Sequence, residues 1–375
     1  MEKIEILKAG LQNPETDPNE MLAAFEGSEA ALLNALIELA VHEKMLDEVK
    51  AFMKKADFAK ADAAAEALYQ VEGHPLAALK EEADTLNKLI ESSLADDETL
   101  KKQKDTMWNV SVHDMKKGDL LYPTLKVRYG LDAPSLYLWD SDIAVRQKYS
   151  GLMRQSDEEK DWCKRMDSVL HDLQDMLYVE ENLLYPMTAL TLSPTEWQEV
   201  YYSSKDYPSV FGLPFKKWDE GEAWKVPGLP DPEQAVVLQG GTMTVRELNA
   251  MLNNLPLEIT FVDADGTNAY FNIGHKAFKR PLLSLGHEVF ECHPHQVGEM
   301  VKGMIADFKS GKKDKVNIWM MKQNEPYYVT YMALRDTEGT YLGTLEVIQP
   351  MQFAKEHFSQ TADFAKGVKS EKKGW

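Results

Sequence analysis

The chain has 375 residues, and 42 Lys plus Arg against 61 Asp plus Glu leave a formal net charge of −19. With 44% hydrophobic and 10% aromatic residues it has enough apolar material for cores, which excludes wholesale disorder and points to roughly two or three domains. The acidic balance repels phosphate backbones and no basic stripe interrupts it, so no nucleic-acid partner is expected.

Met1 to Lys8 lack the apolar core of a leader, and no run approaches the roughly 18 apolar residues of a membrane span. Cys163 and Cys292 are too few for a disulfide framework, so a reduced, cytoplasmic protein away from the membrane is expected. From about Asn19 to Ser204 the pattern is helical. Leu32, Leu33, Leu36, Ile37, Leu39 and Ala40 lie on one broad stripe, and Leu76, Leu79, Leu86 and Ile90 on another. Breaks at Gly73-His74-Pro75, Pro123, Gly130 to Pro134 and Pro186 leave about five or six helices, which predicts an all-α bundle over residues 1–205. Residues 206–240 are rich in Pro and Gly and read as a linker.

Beyond it, period-two alternation takes over. Glu258 to Asp263 and Asn268 to Ile273 flank the turn Ala264-Asp265-Gly266, a hairpin signature, and strands follow at Lys315 to Lys322, Tyr327 to Asp336 and Thr340 to Gln349. With a helix predicted from His295 to Ser310, residues 241–360 form an α+β domain of about five antiparallel strands with crossing helices. A basic tail at 361–375 completes a multi-domain α and α+β architecture.

One internal echo stands out: Gly118-Asp-Leu-Leu-Tyr-Pro123 and Glu181-Asn-Leu-Leu-Tyr-Pro186 differ only in their first two positions. In a bundle, residues just before such equivalent helix ends either pack its end or present ligands to a common metal centre. Gly73-His74-Pro75-Leu76, His113 with Lys117-Gly118-x-Leu-Leu-Tyr-Pro123, Trp139-x-x-Asp142-x-x-x-Arg146 and Glu180-Glu181-Asn-Leu-Leu-Tyr-Pro186 resemble the hemerythrin-like, or HHE cation-binding, domain. The resemblance is to the subgroup that carries a PAS domain behind it. Gly286-His287-x-Val289-x-x-Cys292-His293-Pro294, Phe308-x-Ser-Gly311, Trp319 and Arg335-Asp336-x-x-Gly339-x-Tyr-Leu-Gly-Thr-Leu-Glu-Val347 resemble that PAS domain in order.

The resemblance implies a di-iron centre of histidines and bridging carboxylates in the bundle. Here Ala63-Ala64-Ala65 stands where the family has a histidine, Gly118 where it has a glutamate, and Asp142 where many members have a histidine. Two readings follow for this half. One is a degenerate bundle without iron; the other is a remodelled metal site of His74, His113, Asp142 and Glu181.

In the PAS half, Phe261, Tyr270, Phe278, Trp319 and Tyr331 are candidates to line a pocket for a small molecule or cofactor, although alternation does not say which face each strand turns inward. Cys292-His293 offers a thiol and an imidazole. Haem ligation, a soft-metal pair, a redox thiol and loop hydrogen bonds all remain open roles. His287, where the family has arginine, replaces a permanent charge with a titrating one. The expected function is a non-enzymatic sensor in signal transduction, binding a small-molecule ligand and passing its signal through the bundle or as a homodimer; the alternative is an iron- or oxygen-binding protein acting through the bundle.

Overall fold

The computed structural model describes Glu2 to Gln360 apart from Pro227, His275, Pro294, Gln323 and Asn324, so the basic tail lies outside the described residues. The chain divides into two compact units, one built from Met1–Lys225, Pro281–Ser284 and Phe290–Gly298 and the other from Val226–Arg280, Leu285–Val289 and the residues from Glu299 onward.

The first unit is helical. At its centre Pro75–Ala95 packs on Trp162–Val179, which packs on Trp139–Met153; that helix meets Val110–Leu120, which closes the ring on Pro75–Ala95. Each turns an apolar stripe inward, as Leu79, Leu86 and Ile90, or Met166, Leu170, Leu173 and Leu177, all of which are buried. Shorter helices surround this ring, so the bundle is more fragmented than the sequence breaks suggest. The residues 206–225, expected in a linker, belong to this unit. Tyr207, Val210, Phe211 and Trp218 are buried in its core, and Tyr207 donates to Asp119 at 2.7 Å. Gly73 explains how this segment comes so close: at φ +75° it has no Cβ, which would otherwise stand 2.4 Å from the Lys217 carbonyl oxygen.

The second unit opens with a two-stranded hairpin, β1 (Ala235–Leu238), which lies in the stretch expected as linker, and β2 (Gly241–Thr244), just beyond it. Its main sheet contains β3 (Glu258–Asp263), β4 (Asn268–Phe271), β5 (Lys315–Lys322), β6 (Glu325–Arg335) and β7 (Tyr341–Pro350), in the spatial order β4-β3-β7-β6-β5. Every pairing is antiparallel. The helix His295–Lys309 buries Val301, Ile305 and Phe308. Directly paired residues share a face, so the registers Glu258↔Ile348, Val329↔Ile348 and Tyr331↔Glu346 define the covered side of the sheet.

Candidate functional sites

The helical unit carries a buried cluster of titratable side chains supplied by three of the four central helices and the π-helical turn Glu180–Leu184. His113 and Lys117 lie four residues apart on one face of Val110–Leu120, with Asp114 beside them. Glu82 comes from Pro75–Ala95, Asp142 and Arg146 from Trp139–Met153, and Glu180 from the π-helical turn. Asp114, Asp142 and Glu180 each offer a carboxylate oxygen within 4.8 Å of one another. Into this space Lys117 inserts its ammonium: Nζ lies 3.2 Å from Asp114, 3.6 Å from Asp142 and is bonded to Glu180. Arg146 reaches Asp114 at 3.3 Å, and Lys116 pairs with Glu82. Four cations thus face four carboxylates, which answers the cost of removing them from water.

His113 is fully buried and has a carboxylate on each ring nitrogen, Glu82 at 2.8 Å on Nδ1 and Glu180 at 3.0 Å on Nε2. A carboxylate accepts, so both nitrogens must donate and the ring is an imidazolium. Burial alone would depress its pKa, but Glu180 and Glu82 more than reverse this and push it up to about 9. Burial likewise disfavours the charge on Glu180, yet Lys117 and His113 hold its carboxyl down at about 2. Asp142 is pushed up to about 7 by burial, against the attraction of Lys117 and with added repulsion from Asp114 and Glu180. For Lys117 the three carboxylates outweigh burial and keep the ammonium charged.

These shifts fix how stability depends on pH. The raised His113 contributes stability that is fully present below pH 6.5 and is lost as the pH rises through 9, about 3 kcal/mol in all. Asp142 adds a loss in the same direction between pH 3.8 and about 7, whereas Glu180 loses its contribution as the pH falls from 4.5 toward 2. Thermal melts of the full chain should therefore show the helical unit losing stability from pH 6.5 to 9, with a shallower slope in His113→Gln. Equal slopes in parent and variant would contradict the imidazolium.

The repeated Leu-Leu-Tyr-Pro segments both serve this cluster. Tyr122 donates to Asp142 at 2.9 Å, and Tyr185 donates to Glu180 at 3.1 Å. Extending the repeat toward the amino terminus aligns Lys117 with Glu180, each five residues before its tyrosine, and these two equivalent positions pair with opposite charges. Gly118 is required by packing: a Cβ there would lie 2.7 Å from Nε1 of Trp139, whose ring meets Tyr122 edge-on.

Of the four expected metal ligands, only His113 and Asp142 come together. His74 instead caps Pro75–Ala95, its Nδ1 accepting from the Leu76 N–H at 3.1 Å, and its ring lies 4.8 Å from each of Trp197 and Trp218. Burial lowers its pKa to about 4, so this ring is neutral. Glu181 turns away toward Lys80 at 3.7 Å and Asn87 at 3.4 Å; its neighbour Glu180 faces the cluster. Successive residues of a helical turn project in different directions, and here Glu180 takes the inward one. The set His74, His113, Asp142 and Glu181 is therefore not a site. The cluster does not fit a metal ion either, because the Lys117 ammonium stands among the carboxylates that would bind it.

In the second unit a smaller charged group lies on the covered face of the sheet. Glu258 is buried and accepts from the backbone N–H of Ala277 at 2.7 Å and from Arg280 at 3.0 Å; Arg280 also donates to Glu346 at 2.7 Å. Burial works against the Arg280 charge, but Glu346 and Glu258 hold it. Phe278 meets Tyr327 edge-on at 5.7 Å, and Tyr331 lies opposite Glu346 in the register, so both expected lining residues belong to this side. The other three do not. Phe261 pairs with Tyr270 on the opposite face, and Trp319, 66% exposed, is on that face too, against Tyr328. His287 is half-buried in this unit; His293, in the stretch that belongs to the first unit, is half-buried too, and the side chain of Cys292 lies outside the described residues.

A five-stranded antiparallel sheet covered on one face defines the second unit as an α+β module. Residues 248–352 match the PAS domain family, and the chain carries a PAS domain there. Among solved structures, a C-terminal domain from Streptococcus mutans is 35% identical over 34% of this chain and 99% of its own, with a TM-score of 0.32. The PAS domain of Bordetella pertussis BvgS is 13% identical over 33% of this chain and 98% of its own, with a TM-score of 0.23. A sensory box sensor histidine kinase from Vibrio cholerae is 11% identical over 28% of this chain and 90% of its own, with a TM-score of 0.22. No curated protein matches the chain. Among the described residues no helix is long and apolar enough to cross a membrane.

Proposed function

We propose that this protein is a sensor rather than a catalyst, with a PAS domain that takes up a small organic molecule and a helical unit that is a metal-free relative of hemerythrin-like bundles. A PAS domain suggests a sensory or ligand-binding role. The observation that carries the reading is the Glu258, Arg280 and Glu346 group beside Phe278, Tyr327 and Tyr331 on the covered face of its sheet. Few polar groups among aromatic walls are what orients a small ligand in a pocket. In the helical unit, the position of Lys117 supports a bundle in which an ammonium supplies the positive charge that iron would bring. The alternative, a protein that binds iron or oxygen through this unit, requires Lys117 to leave its three carboxylates.

Native mass spectrometry of the full chain, incubated with a metabolite extract of the expression host, tests the sensor reading. The expected result is one small organic adduct that is released on denaturation and lost in Tyr331→Trp, a substitution that enlarges a side chain on the covered face. Absence of any adduct from a folded protein, or an adduct unaffected by Tyr331→Trp, would contradict it.

A further inference from the structure

The helical unit holds a cleft whose lining lies wholly within it and does not depend on the PAS reading. This cleft of about 60 Å³ has apolar walls that include Leu79, Leu120, Val200 and Leu213, and it reaches down to Glu82 and Lys116. On this measure a water needs about 10–15 Å³, so the space holds on the order of five waters or a chain of a few carbon atoms.

The charges at its depth are unequally satisfied. Glu82 uses one carboxylate oxygen for Lys116 and the other for His113. At the mouth Glu81 is engaged through both oxygens by Lys216. Lys116, only 12% exposed along its side chain, has three N–H donors, and Glu82 is its partner among the described residues. Lys116 lines the cleft, and its ammonium has donors beyond the one that Glu82 takes. Lys216 at the mouth is taken up by Glu81, so Lys116 is the ammonium at the buried end, and one such charge beside Glu82 suits a monoanion better than a phosphate dianion.

We infer that this cleft binds a short-chain monocarboxylate, its carboxylate on Lys116 and its alkyl chain between Leu79, Leu120, Val200 and Leu213. Glu82 is shared between Lys116 and His113, so the carboxylate would sit directly against the outer wall of the buried cluster.

Isothermal titration of the full chain with acetate, propionate and butyrate tests this. The expected result is saturable binding that tightens by about fourfold per methylene. It should weaken by at least about tenfold in Lys116→Met, the loss expected when a charged hydrogen bond is removed. Leu213→Trp, which leaves the Lys116–Glu82 pair in place and fills the cleft, should weaken it as much, and the thermal melt of each variant reports that it is folded. No saturable binding by any of the three acids would overturn the proposal. So would butyrate binding that survives both substitutions, or 1-butanol binding as tightly as butyrate.

Discussion

Replacing Lys117 with methionine should destabilise the helical unit by about 3–5 kcal/mol, the cost of breaking a buried charge network by removing one partner. The side chain is fully buried, and its loss leaves Asp114, Asp142 and Glu180 with their oxygens within 4.8 Å of one another and no central cation. Whole domains are stable by only about 5–15 kcal/mol, so the melting temperature should fall by on the order of 10 °C. A second change separates repulsion from lost packing. Lys117→Met with Asp142→Asn removes one of the negative charges at nearly constant shape and should recover part of the loss. If the double variant is no more stable than the single one, the cavity rather than the charge is responsible. A divalent cation such as Mn²⁺ should stabilise Lys117→Met and leave the parent unchanged, because only the variant has room for an ion.

The second large effect is expected from Arg280→Met in the PAS domain. Glu258 is 4% exposed, and with Glu346 it depends on Arg280 for its ion pair. Both carboxylates would lose their ion pair with Arg280, at about 3–5 kcal/mol. The pH dependence identifies the cause. Burial disfavours the Glu346 charge, but Arg280 holds its pKa below the ordinary glutamate value of 4.5, so its contribution is present above that pH and is lost as the pH falls through the lowered pKa. The deficit of Arg280→Met against the parent in urea denaturation should therefore be full at neutral pH and shrink below pH 4.5. A deficit of the same size at pH 3 and pH 7 would show that packing, not charge, is lost.

The sheet was more legible in the sequence than the buried sites were. Strands at Lys315 to Lys322 and in the Glu258 to Asp263 hairpin emerge from alternation and an Asp-Gly turn, because both signals are local. The phase of alternation is not local. Trp319 has the composition of a core residue, yet the register of β5 on β6 turns it to the exposed face. Residues 206–225 read as a connector from their prolines and glycines. Their aromatics, Tyr207, Phe211 and Trp218, were the competing signal and prevailed, since burying such rings outweighs the lack of regular structure.

The charged cluster was hidden for a different reason. A lysine in a helix is ordinarily solvated, and nothing near Lys117 in sequence announces that partners arrive from another helix and a π-helical turn. The repeat held a usable clue: read one residue further, it sets Lys117 opposite Glu180. Gly118 looked like a missing ligand, but its role is to admit Trp139.

In the proposed reading an ammonium, not a metal, holds the middle of the helical unit. Metal analysis of the full chain purified from iron-supplemented cells, without chelators, tests it most directly. The expected result is only traces of iron in no fixed ratio to protein and no change in melting temperature on adding Fe²⁺ under anaerobic conditions. Stoichiometric iron that survives gel filtration and raises the melting temperature would contradict it.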